Sequence, residues 1–260
     1  MLLVLSPAKS LDYESPLATK KFSEPQLVDH AAELVDVMRT KSPAQLSKLM
    51  SISEDLADLN HERFVDWELP LTRDNARPAV LAFNGDVYRG LDAAGSFSER
   101  DFTHAQKTIR VLSGLYGVLR PLDLMAPYRL EMGTKLKTDR GRNLYEFWGS
   151  QVTDQLNKDI AASPGTACLV NLASNEYFGV VKDEKIEAPI VAPAFLDEKN
   201  GEFKVISFFA KAARGAMAGW MVQERIKSIR GLNDFNRMGY RYDEERSTTD
   251  RPVFLRPEAV

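Results

Sequence analysis

The chain has 260 residues, 44% hydrophobic and 27% charged, which suits a globular protein with a substantial buried core and excludes fibrous and disordered classes. No apolar run approaches the ~20 residues that a membrane-crossing helix needs. The opening MLLVL breaks at Ser6-Pro7 without a basic start, so no signal peptide or membrane contact is expected, and the expected location is the cytoplasm. The net charge of −3 is unevenly spread: residues 107–142 and 204–230 each carry an excess of five positive charges, leaving −13 on the rest. Such asymmetry produces either a positive patch on an acidic body or two separate solvated faces.

In chain order, residues 2–5 read as a buried strand and 6–9 as the loop leaving it. Leu27, Ala31, Leu34, Val35 and Met38 give helical spacing across 24–40. Ser42-Pro43 restarts a helix, with serine as the cap and proline in the first turn. Ser53 caps a third helix over 53–64. A polar connection over 67–78 leads to the apolar run 79–83, which Asn84-Gly85-Asp86 ends sharply. Residues 98–106 predict a capped helix and 108–112 a strand. Beyond a block over 112–133, helical spacing resumes across 142–162 through Leu144, Phe147, Trp148, Val152 and Leu156. The continuous apolar run 167–172 predicts a buried strand, followed by a short helix over 174–181. Strands over 190–196 and 202–208 flank a polar loop whose Gly201 marks a hairpin. A long helix over 209–229, an aromatic segment at 240–242 and a strand over 253–255 complete the chain. Helices and strands mix without a repeat or a linker. This predicts one compact mixed α/β (α+β) domain over 1–260, with a central sheet and flanking helices.

The block LSGLYGVLRPLDLMAPYRLEMG, residues 112–133, concentrates residue types that bind nucleic acid. Gly114 and Gly117 permit a tight turn whose backbone N–H groups can face a phosphate. Arg120 and Arg129 suit phosphate by their guanidinium geometry, and Tyr116 and Tyr128 offer rings for stacking on bases. Residues 112–117 resemble a helix-hairpin-helix core, one residue longer and with Ser113 in place of proline. The alternative is a turn between two core elements. The single cysteine, Cys168, forms no internal disulfide and falls in an apolar run, where a thiol reacts slowly. His30, His61 and His104 are scattered, so no metal site is expected. No cofactor is expected either, since Walker, Rossmann and nucleophile-elbow patterns are absent from the sequence.

Six ordered blocks carry a family resemblance: SPAKSLD at 6–12, FNGDVYRGL at 83–91, the whole of 112–133, NLYEFW at 143–148, NLASNEYF at 171–178 and KAARGAMA at 211–218. Together they are similar to the YaaA family of peroxide-stress resistance proteins, from Met1 nearly to the last strand. The resemblance implies a cytoplasmic protein that protects cells from hydrogen peroxide and is linked to lower free iron and to DNA protection. It further implies DNA binding through a helix-hairpin-helix element and a positively charged cleft, in a compact α/β fold of unusual shape. No established reaction comes with it.

Polar residues at element ends within these blocks define a candidate cleft: Lys9, Asn84, Asp86, Asp123, Glu131, Asn171, Ser174, Glu176, Lys211 and Arg214. Lys211 and Arg214, three residues apart, share a helix face. In one reading, Lys9, Gly114, Tyr116, Gly117, Arg120, Tyr128, Arg129, Lys211 and Arg214 contact duplex or distorted DNA, and the protein acts as a monomer. In the other, a carboxylate among Asp86, Glu131 and Asp123 activates water or stabilises an oxocarbenium-like transition state, cleaving an N-glycosidic bond in a nucleoside or in DNA. The same carboxylates can instead pair with Arg120, Arg129 and Lys9 and simply hold the cleft's shape.

Overall fold

Four of the expected strands meet in one sheet. In the computed structural model, which describes residues 1–258, Leu2–Leu5 is the middle strand and all four of its side chains are buried. Ile109–Ser113 and Leu169–Leu172 flank it in parallel, with Leu3 opposite both Ile109 and Val170. Ile190–Val191 continues the parallel set beyond Leu169–Leu172, and Gly117–Leu119 closes the other edge antiparallel to Ile109–Ser113. A parallel strand covered on both faces reads as an unbroken apolar run, which is why these strands stand out in the sequence.

Helix starts are equally local. Ser42 and Gln45 form a reciprocal capping box before Pro43–Met50, as Ser98 and Asp101 do before Glu99–Thr108. Ser53 caps Glu54–Asp66 through the Leu56 N–H. The helix expected over 24–40 is shorter, Val28–Arg39. The one expected over 142–162 is two helices, Leu144–Trp148 and Gln151–Ala162, because Gly149 adopts φ +52 and turns the chain between them. The strand expected over 202–208 ends early: Glu202–Lys204 is extended, and the long helix begins at Ser207 and runs to Gln223. The hairpin loop shrinks to Asn200-Gly201, both at positive φ, the combination a two-residue hairpin turn favours.

Glu202–Lys204 belongs to a second sheet with Ala194–Lys199, Val253–Arg256 and Arg241–Asp243, in that order. One hydrophobic cluster extends from Leu2 in the first sheet to Phe254 in the second. Between the sheets, Ser207–Gln223 crosses the short helix Asp86–Leu91 at backbone contact. A Cβ on Gly215 would lie 1.8 Å from the Val87 carbonyl oxygen, and one on Gly90 2.0 Å from that of Ala212. Among the described residues, no helix is long and apolar enough to cross a membrane.

The expected helix-hairpin-helix core at 112–117 requires correction. The glycine turn joins two strands, Ile109–Ser113 and Gly117–Leu119, and no helix follows it. Gly117 sits at φ +67 against the Trp148 indole, and Gly114 packs so tightly on the Leu130 carbonyl that a Cβ would lie 2.2 Å from its oxygen. These glycines serve core packing, leaving no room for a phosphate. A helix-turn-helix pair occurs elsewhere, as Pro43–Met50 and Glu54–Asp66 joined by Ser51-Ile52-Ser53.

Candidate functional site: a polar cleft at the ends of parallel strands

A cleft of about 600 Å³ opens where Leu2–Leu5 and Leu169–Leu172 end at their carboxyl termini. Parallel sheets commonly bind ligands there, because the loops that leave adjacent strands diverge and expose backbone and side-chain polar groups. The two strand ends are tied together: the Ser174 N–H donates to Ser6 Oγ at 2.8 Å, and the two serine hydroxyls are 3.2 Å apart. Tyr88 fixes the loop from behind by donating its hydroxyl to the Ser6 carbonyl at 3.1 Å. Burial pushes that phenol well above its usual value, so it stays a neutral donor.

The remaining walls come from the helix pair and from the end of the 112–133 block. Asp86 begins the Asp86–Leu91 helix and pairs with Arg89, one turn on. Glu131 accepts from Lys9 Nζ at 2.7 Å through one oxygen and from Arg129 at 3.2 Å through the other. Glu176 accepts the Gly133 N–H at 3.0 Å. Each carboxylate in the cleft therefore has a fixed partner. Lys211 and Arg214 line the cleft from the long helix, and neither has an ion-pair or side-chain hydrogen-bond partner among the described residues. Desolvation pushes the Arg214 guanidinium below its usual value, as expected of a partly buried cation without a counter-ion. The cleft thus presents two positive charges without an ion pair on one helix face, and Glu176 is its one carboxylate without a cation partner among the described residues.

Of the expected site residues, the fold brings together Lys9, Asn84, Asp86, Glu131, Ser174, Glu176, Lys211 and Arg214. Tyr128 and Arg129 lie just behind, around a water-sized recess shared with Lys9 and Glu131. Asn171 stays beneath, its side chain accepting the Ala173 N–H at 3.0 Å and turning the chain out of its strand. Other expectations need correcting. Tyr116 is fully buried, its hydroxyl accepting from Trp67 Nε1 at 2.9 Å and from the Ala126 N–H at 3.0 Å; Tyr128, also buried, pairs with Ser113 Oγ at 2.6 Å. Neither ring can stack on a base. Asp123 is fully buried; it accepts the Arg120 backbone N–H at 2.8 Å, Arg120 Nε at 2.9 Å and Ser23 Oγ at 2.7 Å. Burial pushes its carboxyl up against the pull of Arg120, and the pair pins a turn away from the cleft. Cys168 is buried, and burial pushes its thiol up.

Arg89, Ser6 and Tyr177 line the cleft without having been singled out in the sequence. Arg89 had a usable signal, since Asp86 and Arg89 stand three apart on one helix. The exposed Phe208 lies one helical turn before Lys211, at 56% exposure.

Fold and site define a mixed α/β protein with a partly cationic cleft at the carboxyl ends of parallel strands. A family model described as "Peroxide stress protein YaaA" matches residues 1–246. A UPF0246 protein of Cellvibrio japonicus (strain Ueda107) is 54% identical over 260 residues, covering 100% of both chains. The chain belongs to the YaaA family of peroxide stress proteins, and its role is in peroxide stress.

Proposed function

We propose that the protein limits oxidative, iron-dependent damage to DNA by binding nucleic acid at this cleft, as a single-domain monomer in the cytoplasm. The observation that carries this reading is the pair Lys211 and Arg214, which have no ion pair among the described residues, facing a cleft whose carboxylates are each held by other groups. At about 600 Å³ the cleft has the size of a small-ligand pocket, well short of a groove for a duplex. The bound unit is accordingly one unstacked nucleotide of a distorted or single-stranded site. Its phosphate meets Lys211 and Arg214, and the exposed Phe208, one helical turn before Lys211, offers a ring face that the buried tyrosines cannot. The helix-turn-helix pair is less suited to phosphate, because Glu54 and Asp55 occupy the first turn of its second helix.

Fluorescence anisotropy with single-stranded, mismatched and fully paired DNA tests this. Distorted and single-stranded forms should bind better than intact duplex. Lys211→Ala with Arg214→Ala should weaken binding about tenfold or more and reduce the single-strand salt slope by about 1.4. Unchanged affinity in the double variant would overturn the reading.

One observation favours a second reading: Asp86 and Glu131 stand in a cleft of small-molecule size. In this reading the protein hydrolyses an N-glycosidic bond, one carboxylate activating water. Free base should then be released from modified DNA or nucleosides, and Asp86→Asn or Glu131→Gln should stop it. No release across a broad substrate panel would remove it.

A further inference from the structure

Residues 133–137 leave the cleft rim in neither helix nor strand, yet their side chains alternate strictly. Met132 at 0%, Thr134 at 8% and Leu136 at 1% exposure point into the core, while Gly133, Lys135 and Lys137 face solvent. The strap is held at both ends. At the cleft, the Gly133 N–H is bound by Glu176, which also lines the cleft wall. At the far end, Thr138 and Gly141 exchange backbone hydrogen bonds at 2.8 and 3.3 Å. Arg140 then reaches Glu33 at 2.9 Å and lies 4.2 Å over the Phe147 ring. Arg140 is therefore structural, whereas Lys135, Lys137 and the exposed Arg142 have no ion pair among the described residues. The strap itself contains no acid, and Asp139 is the first beyond it.

We infer that this strap is a phosphate track, along which a single nucleic-acid strand leaves the cleft. The inference rests on the reading of the cleft as a nucleotide site and extends it to a direction and a partner form. Buried residues at every second position turn the lysines into a row that begins at the cleft rim. A row of lysines suits successive phosphates, since each ammonium is a point charge that neutralises backbone without reading bases. The outward face, Gly133, Lys135 and Lys137, has no aromatic or large aliphatic anchor of the kind that dominates protein–protein interfaces. A nucleic-acid strand therefore fits better than an acidic protein surface.

The experiment compares binding of a single-stranded trinucleotide with that of a strand of about 12 nucleotides, by anisotropy across a salt series. The full-length protein should bind the longer strand about tenfold more tightly. Lys135→Ala with Lys137→Ala should remove that gain and lower the longer strand's salt slope by about 1.4, leaving trinucleotide affinity unchanged. Lys135→Glu with Lys137→Glu should push the longer strand below the trinucleotide. Retention of the length gain in both double variants overturns the track while leaving the cleft reading intact. Loss of the gain without a change in salt slope overturns it too, because the lysines would then not be meeting phosphates. If the unaltered protein binds neither strand, but an acidic polypeptide binds and is lost in the lysine variants, the surface belongs to a protein partner. If it binds neither strand and no such polypeptide, the cleft reading itself fails and the track with it.

Discussion

Glu131 holds the balance of charge in the cleft. One oxygen takes Lys9 and the other Arg129, so the carboxylate neutralises cations that would otherwise face an anionic ligand. Glu131→Gln should therefore tighten binding of single-stranded DNA by about threefold to tenfold, measured by anisotropy, by releasing Lys9. In the hydrolytic reading the same variant abolishes base release, so one substitution separates the two. Asp123 belongs to the opposite category. With no exposed surface and three hydrogen bonds from Arg120 and Ser23, it anchors the Arg120–Asp123 turn. Asp123→Ala should cost about 3 kcal/mol in urea unfolding, because it strands Arg120 and the Ser23 hydroxyl. Affinity for nucleic acid should not change once the fold is intact. A lone sequence cannot separate these two carboxylates: each sits close to arginines in the same block, and only burial tells them apart.

Among the elements, the crossing of Asp86–Leu91 with Ser207–Gln223 does most to shape the site. It brings Asp86 and Arg89 on one helix against Lys211 and Arg214 on the other. The crossing depends on bare backbone at Gly90, Gly215 and Gly219. Gly215→Ala should separate the helices, lower stability by about 2–3 kcal/mol and weaken nucleic-acid binding, although residue 215 does not line the cleft. Wild-type stability and affinity in that variant would contradict the close approach. The long helix was legible in KAARGAMA by its apolar spacing, as were the serine caps, because spacing and capping are decided within one turn. The two-residue strands Ser10–Leu11 and Phe83–Asn84 were not legible. They exist only because they pair with each other, Ser10 opposite Asn84, and a segment that short has no periodicity to read.

For the whole molecule, the question is whether the two positively charged segments act together. They meet at the cleft only in part: the first segment contributes the acid Glu131 with Arg129 just behind it, the second Lys211 and Arg214. Not all of their charge is available, however. Arg110 is buried against Asp159 at 2.7 Å, and Arg120 and Arg140 are paired with Asp123 and Glu33. The positive field is therefore narrower than the residue count suggests. Association with single-stranded DNA should accordingly show a shallow salt slope, about −3 for four phosphate contacts at Lys135, Lys137, Lys211 and Arg214. A slope more than twice as steep in a binding titration would mean that a second face takes part.

By itself the sequence determined four of the five strands of the central sheet, the capped helices, the family, and most of the charged residues of the cleft, since each of these is written in local apolar patterning, caps or quoted motifs. Tertiary structure alone decided that the glycine turn at 114–117 is a strand connection packed on Trp148 and Leu130. It alone decided that Tyr116, Tyr128, Arg120 and Asp123 are spent inside the protein while Lys211 and Arg214 are left without partners. The physical reason is that a side chain's type sets what it can bind, whereas its burial and its neighbours, which come from segments far apart in the chain, set whether anything is left to bind.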